Sequence, residues 1–206
     1  MKKVLLSILE ALGLSITVLI VALVLGYYAN CLNFWASNQI RLSNIKKEVN
    51  SLYIDQAIKF EPKFLNELAA SINSNSIKYK IPRHMIEAII FCESDYNQNS
   101  TSYYYIKRIV IVKHKKNIIY DKIPLAKGLM QVNFAQWKNV FPDESKYYDI
   151  VYNINAGTYI FNYLLKKDKG DIIKAICDYN GSSKFNCYAN KVMKTYYYLN
   201  NLEENE

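Results

Sequence analysis

The chain is poor in the side chains that bind transition metals. It has two histidines, His84 and His114, and four cysteines among 206 residues, with no close Cys or His spacing. A tetrahedral zinc site needs three or four such groups brought together, so no metal site is expected, and no cofactor is called for. Internal repeats are absent, which excludes solenoids and arrays. No nucleic-acid recognition motif occurs, so the net charge of +8 is not by itself a sign of a nucleic-acid partner.

Charge is also nearly missing from one stretch. Val4 to Tyr28 contains a single charged residue, Glu10. The uncharged part, Ala11 to Tyr28, would reach about 27 Å as a helix at ~1.5 Å per residue, close to the thickness of a bilayer's hydrocarbon core. Residues 1–30 therefore read as an uncleaved transmembrane anchor. The rival is a signal peptide, but Gly26-Tyr27-Tyr28-Ala29-Asn30-Cys31 offers no clean cleavage site and Cys31 lacks a lipoprotein context. Tyr27, Tyr28 and Trp35 suit an interfacial aromatic belt. Lys2 and Lys3 favour a cytoplasmic N-terminus, while Arg41, Lys46 and Lys47 weaken that asymmetry. Residues 31–75 read as a helical juxtamembrane region carrying Ile40, Leu42, Ile45, Val49 and Leu52 at helical spacing. Within it a short helix restarts at Glu61-Pro62 and ends near Ile72, where Asn73-Ser74-Asn75-Ser76 looks like a turn.

A carboxylic acid closes the most apolar helix. Pro82 suits a helix start, and Met85-Ile86-Glu87-Ala88-Ile89-Ile90-Phe91-Cys92 runs straight into Glu93-Ser94-Asp95. Such a helix is buried on most sides. Desolvation and the negative end of the helix dipole both disfavour a charge on Glu93. Both would keep its proton near neutral pH, as a general acid requires. The plainer reading is a terminal Glu that reaches solvent.

Between Asn97 and Leu125 the pattern turns β-branched and aromatic. Tyr103-Tyr104-Tyr105-Ile106, Ile109-Val110-Ile111-Val112 and Ile118-Ile119-Tyr120 predict a β-hairpin over about 102–124, turning at His114-Lys115-Lys116-Asn117. Helices follow. One starts after Asp149 or Tyr152 and runs to about Lys166. One covers Ile172 to Tyr179 behind an Asp171 cap, and one covers Tyr188 to Leu199. Residues 201–206 form an acidic tail.

Four short motifs stand in order: Glu93-Ser94, Gly128-Leu129-Met130-Gln131-Val132, Asn153-Ile154-Asn155-Ala156-Gly157 and Asp178-Tyr179-Asn180-Gly181. In that order they resemble the lytic transglycosylases of the soluble-lytic-transglycosylase type. These are relatives of goose-type lysozyme that cut the glycan strands of peptidoglycan. The resemblance runs from about Tyr79 to about Leu199. It implies a mainly α fold of the α+β lysozyme-like kind over residues 76–200, with the hairpin as an insertion. The 35 residues from Glu93 to Gly128 exceed the connection usual in that family. Val132-Asn133-Phe134 lacks a proline the family often has, and Ser182-Ser183 replaces its usual loop after the glycine.

The resemblance also implies roles. Glu93 is the catalytic residue, and Ser94, Met130, Gln131, Tyr179 and Asn180 are the substrate-side candidates. Tyr179 would orient Glu93 or the substrate acetamide through its hydroxyl. Gln131 would hydrogen-bond a sugar, and Met130 would touch an N-acetyl group or sit in the core. Ser94 would bond backbone near the helix end, Asn180 would hold its loop, and Asn153 and Gly157 look structural. One glutamate would protonate the bond between N-acetylmuramic acid and N-acetylglucosamine, then draw the proton from the sugar's own 6-hydroxyl, leaving a 1,6-anhydromuramoyl end. The alternatives are a hydrolytic muramidase using Asp95, Asp121 or Asp178 as a second carboxylate, and a non-catalytic wall-binding scaffold.

The expected partners are peptidoglycan strands, the membrane through the N-terminal helix, and a secretion or conjugation machinery; nucleic acid is not expected. The domain would then lie on the periplasmic or extracytoplasmic side of the bacterial inner membrane, as a single-pass protein. There a net charge of +7 over residues 32–206 suits an anionic wall or membrane surface. Outside the cytoplasm thiols can oxidise, and Cys177–Cys187 would staple the loop after Gly181. Cys92–Cys177 is a second pairing, and free buried thiols a third outcome.

Overall fold

The computed structural model describes residues 23–30, 60–112, 115–182 and 187–204, together with scattered helical positions between 32 and 47. The chain divides into two units, Met1–Ser43 and Asn44–Glu206. In the first, residues 23–30 are helical and Leu23, Leu25, Tyr27 and Tyr28 are exposed. Among the described residues no helix is long and apolar enough to cross a membrane. Most of the expected anchor, residues 1–22, lies outside the described residues. So does the expected juxtamembrane stripe apart from Ile40, which is exposed.

The second unit is mainly helical with one antiparallel hairpin. Its order is α1 (Pro62–Tyr79), α2 (Arg83–Ser94), β1 (Thr101–Val112), β2 (Lys115–Lys127), α3 (Phe134–Trp137), a 3-10 turn (Glu144–Lys146), α4 (Ile150–Lys167), α5 (Ile172–Tyr179) and α6 (Cys187–Glu204). α2 packs between α1 and α6, α4 packs on α1 and α5, and α5 meets α6. Met85, Ile86, Ala88, Ile89 and Ile90 are all buried, as the unbroken apolar run of this helix demands. Pro82 stands at the N-cap, outside the first turn, and its carbonyl accepts from Met85 N–H at 3.0 Å. Asp95 ends the helix in the left-handed region (φ 54°) and returns its N–H to the Phe91 carbonyl.

Caps explain the later helices. Asp149 accepts from Tyr152 N–H at the start of α4, and Asp171 from Lys174 N–H at the start of α5. α5 closes with Gly181 at φ 74°; its N–H reaches the Asp178 carbonyl while Ser182 N–H reaches that of Cys177. This is the glycine-closed helix end that satisfies orphan carbonyls, and it accounts for the glycine after Tyr179-Asn180.

Two expectations are corrected here, and the cysteine alternatives are narrowed. α1 does not stop at Ile72 but continues through Asn73-Ser74-Asn75-Ser76 to Tyr79. Asn75 donates to the Ser71 carbonyl at 2.8 Å and Ser74 donates to the same oxygen at 3.0 Å. Their polar groups are thus served within the helix. The hairpin is longer than 102–124 and turns earlier. Val112 pairs with Lys115, so Lys115, Lys116 and Asn117 belong to β2. Of the three outcomes open for the cysteines, Cys92 and Cys177 take the last: both are free thiols in this structure.

Candidate functional site

The carboxyl at the end of α2 opens into a pocket of about 350 Å³. The end of α2 contributes Glu93, the hairpin base Ser102, Leu125 and Ala126, and the turn after β2 Gln131. Asn133 and Gln136 come from the start of α3, and Tyr179, Asn180 and Gly181 from the end of α5. Glu93 is the one carboxylic acid among these residues.

Its environment favours the neutral acid. Glu93 is mostly buried. Desolvation pushes its pKa up to about 7, against a hydroxyl donor from Tyr188 and the positive field of Lys191, which both favour the carboxylate. The Tyr188 hydroxyl donates to Glu93 Oε1 at 2.5 Å. Burial first, and Glu93 second, raise the Tyr188 phenol above its ordinary range, so it remains a donor across the physiological range. The neighbouring Cys92 thiol is raised to about 11, chiefly by burial, and is therefore no nucleophile near neutral pH.

The turn Gly128–Gln131 forms the opposite wall. It is closed by paired backbone bonds between Lys127 and Val132, at 3.1 and 3.0 Å. Asn153 of α4, fully buried, holds it from beneath. Its Oδ1 accepts from Met130 N–H at 2.7 Å, and its Nδ2 donates to the Lys127 carbonyl at 2.9 Å and the Tyr147 carbonyl at 2.7 Å. Gly128 (φ 79°) must lack a side chain, because a Cβ there would lie 2.3 Å from Asn153 Nδ2 and from the Tyr147 carbonyl oxygen. Gly157 must do so as well, since its Cβ would meet Met130 Cβ and Sδ at 2.5 Å. Two of the four sequence motifs thus interlock: the turn, and the helix segment whose asparagine pins it and whose glycine admits its methionine.

The substrate-side candidates divide. Gln131, Tyr179 and Asn180 line the pocket with Glu93. Gln131, held at φ 45°, spends its side-chain amide on the carbonyls of Ser100 (3.1 Å) and Gly128 (2.9 Å), bracing the wall. Tyr179 donates to the Met130 carbonyl at 2.7 Å. The hydroxyl bonded to Glu93 is that of Tyr188, not Tyr179. Met130 has no exposed surface, so the apolar-contact reading gives way to the core reading. Ser94 is buried and donates to the Ile90 carbonyl at 3.1 Å, one turn back in α2.

The candidate second carboxylates lie elsewhere. Asp121 pairs with Arg108 at 3.0 Å on the exposed hairpin, and Asp178 pairs with Lys167 at 2.7 Å. Asp95 is exposed at the left-handed end of α2. None of the three lines the pocket. Among the described residues no group of three or more His, Cys, Asp or Glu is placed to hold a metal ion.

Sequence reasoning passed over Tyr188, Lys191, Ser102, Asn133 and Gln136. Nothing in spacing marks Tyr188 among 19 tyrosines. Asn133 did carry a local signal, since its side chain accepts from Gln136 N–H as the cap of α3.

A family model, the transglycosylase SLT domain, matches residues 70–198, more than half of the chain. No curated protein and no solved structure matches it.

Proposed function

We infer the reaction from one premise: the chain belongs to the transglycosylase SLT domain family, the glycan-cleaving lyases that act on peptidoglycan. Glu93 alone serves as acid and then as base. In its protonated form, which a pKa of about 7 keeps populated at neutral pH, it gives its proton to the glycosidic oxygen between N-acetylmuramic acid and N-acetylglucosamine as the bond to the anomeric carbon breaks. The carboxylate left behind takes the proton of the muramoyl 6-hydroxyl, whose oxygen closes on the anomeric carbon. A 1,6-anhydro end forms, no water is consumed, and Glu93 is again protonated. An internal nucleophile of this kind gains from high effective concentration.

The observation that carries this reading is a lone carboxyl in the pocket with its pKa raised to about 7. Both half-steps need an acid and a base of similar strength near the working pH. Hydrolysis by two carboxylates would want a second acid on the pocket wall, and among the described residues Glu93 is the one acid that lines it. Tyr188 and Lys191 steady the carboxylate formed after the first step. Tyr179 and Gln131 brace the Gly128–Gln131 wall, and Asn180, Asn133 and Gln136, which line the same pocket, serve as sugar contacts.

The substrate sets the compartment. Peptidoglycan lies outside the cytoplasmic membrane, so the domain works on the extracytoplasmic side with the apolar N-terminal segment as its tether. Local opening of the wall for a secretion or conjugation apparatus is the process that such an activity would serve. Digestion of purified peptidoglycan by the chain and by Glu93→Gln, with fragments read by mass spectrometry, tests the chemistry. Anhydromuramoyl ends that vanish in the variant are expected. Reducing ends, or unchanged activity in the variant, would refute it.

A further inference from the structure

The hairpin extends well past the pocket that its base helps to wall. Outside itself, its main packing partner is α3. From Tyr103 onward the register is regular, so directly opposed residues share a face and successive ones alternate. One face carries Tyr104, Ile106, Arg108, Ile119, Asp121 and Ile123. On it Arg108 neutralises Asp121, and Tyr104, Ile106 and Ile119 are 41–45 % exposed.

The other face differs. Of its apolar members, Tyr105, Ile109, Ile111, Ile118 and Tyr120 are 54–68 % exposed and Tyr103, beneath the Lys122 ammonium, is 40 % exposed, with Ile109 directly opposite Ile118. Lys107, Lys116 and Lys122 lie among them, and no acid does. Over residues 101–127 the sequence has seven Lys and Arg against one acid, Asp121. Isoleucines this exposed on a bare two-stranded sheet mark an interaction surface.

We propose that this face docks on an anionic lipid surface. Aliphatic and tyrosine side chains at such exposure enter the headgroup region, while lysines reach phosphates with their ammonium groups and lay their stems along the apolar layer. A second copy of the chain is disfavoured as occupant, because two hairpins of this composition repel one another. A neutral glycan would use the tyrosine rings but leaves the three isoleucines without a role. Lipid accounts for the lysines, the isoleucines and the tyrosines together. Because Ser102, Leu125 and Ala126 at the hairpin base line the Glu93 pocket, docking would hold that pocket at a set distance from the bilayer.

The test uses the full chain with Ile109→Trp, read as a difference from the unmodified chain, which has Trp35 and Trp137. It is mixed with lipid nanodiscs of phosphatidylcholine, with or without phosphatidylglycerol, each with or without brominated acyl chains. The expected result is blue-shifted emission that brominated lipid quenches in anionic discs but not in neutral ones. Lys107→Glu combined with Lys116→Glu and Lys122→Glu should abolish the quenching while the circular dichroism spectrum stays unchanged. Hydrogen exchange of the hairpin in the unmodified chain should slow in anionic discs alone, which guards against a variant that fails to fold. Solvent-like emission in anionic discs, equal quenching in both lipids, or a shift produced only by soluble peptidoglycan fragments would overturn the proposal, the last assigning this face to glycan.

Discussion

Tyr188 donates its hydroxyl to Oε1 of Glu93 at 2.5 Å, joining α6 to the end of α2 across 95 residues of chain. The bond stabilises the carboxylate, as does Lys191, yet desolvation outweighs both and holds the acid at about 7. Tyr188→Phe removes one of the two opposing influences. The Glu93 pKa should rise, and the alkaline limb of kcat/KM, where the general acid is lost, should move up by about one pH unit, equivalent to ~1.4 kcal/mol. A pH–rate profile of variant and parent checks this, and an unmoved limb would remove Tyr188 from the site.

The same acid makes stability depend on pH. Its folded pKa, about 7, lies above its ordinary value of 4.5, so the folded state binds more protons between these values. Stability from Glu93 is fully present below pH 4.5 and is lost as pH rises through 7. The full span corresponds to about 3 kcal/mol at ~1.4 kcal/mol per unit. Glu93→Gln should therefore stabilise the fold at pH 8.5 relative to its effect at pH 4, by up to that amount. Denaturant unfolding of both proteins at the two pH values measures the difference.

Asn153→Ala attacks the wall rather than the acid. It strands the Met130 N–H and the Tyr147 carbonyl beneath the Gly128–Gln131 turn, while the Lys127 carbonyl loses one of two donors and keeps Val132 N–H. Unmet buried groups cost roughly 1–3 kcal/mol each, so a loss of about 3 kcal/mol or more is expected. Calorimetry should show the lowered Tm, and hydrogen exchange should quicken first at Met130.

Much of the scaffold was legible because its signals are local. Asp149 and Asp171 announce their helices by capping them, and the apolar run ahead of Glu93 forces α2 into the core. The end of α1 was misread for the opposite reason. Asn73-Ser74-Asn75-Ser76 has the composition of a turn, yet Ser74 and Asn75 find the Ser71 carbonyl and Asn73 and Asn75 are buried, so packing overrides propensity. The site divides along the same line. Glu93, Gln131, Tyr179 and Asn180 do meet in one pocket. Met130 was ambiguous in sequence because an apolar side chain in a motif can face either way; the gap left by Gly157 decides it. Tyr188 was invisible because its importance rests on a contact between distant segments, which no periodicity reports.

The central claim is that one carboxyl moves the proton both ways, so that cleavage consumes no water. Digestion of peptidoglycan in water enriched in oxygen-18 tests it most directly. The account predicts muramoyl ends that are lighter than reducing ends by one water and carry none of the label. Reducing ends bearing oxygen-18 at the anomeric carbon would contradict it, for they would mean that water, not the 6-hydroxyl, had attacked.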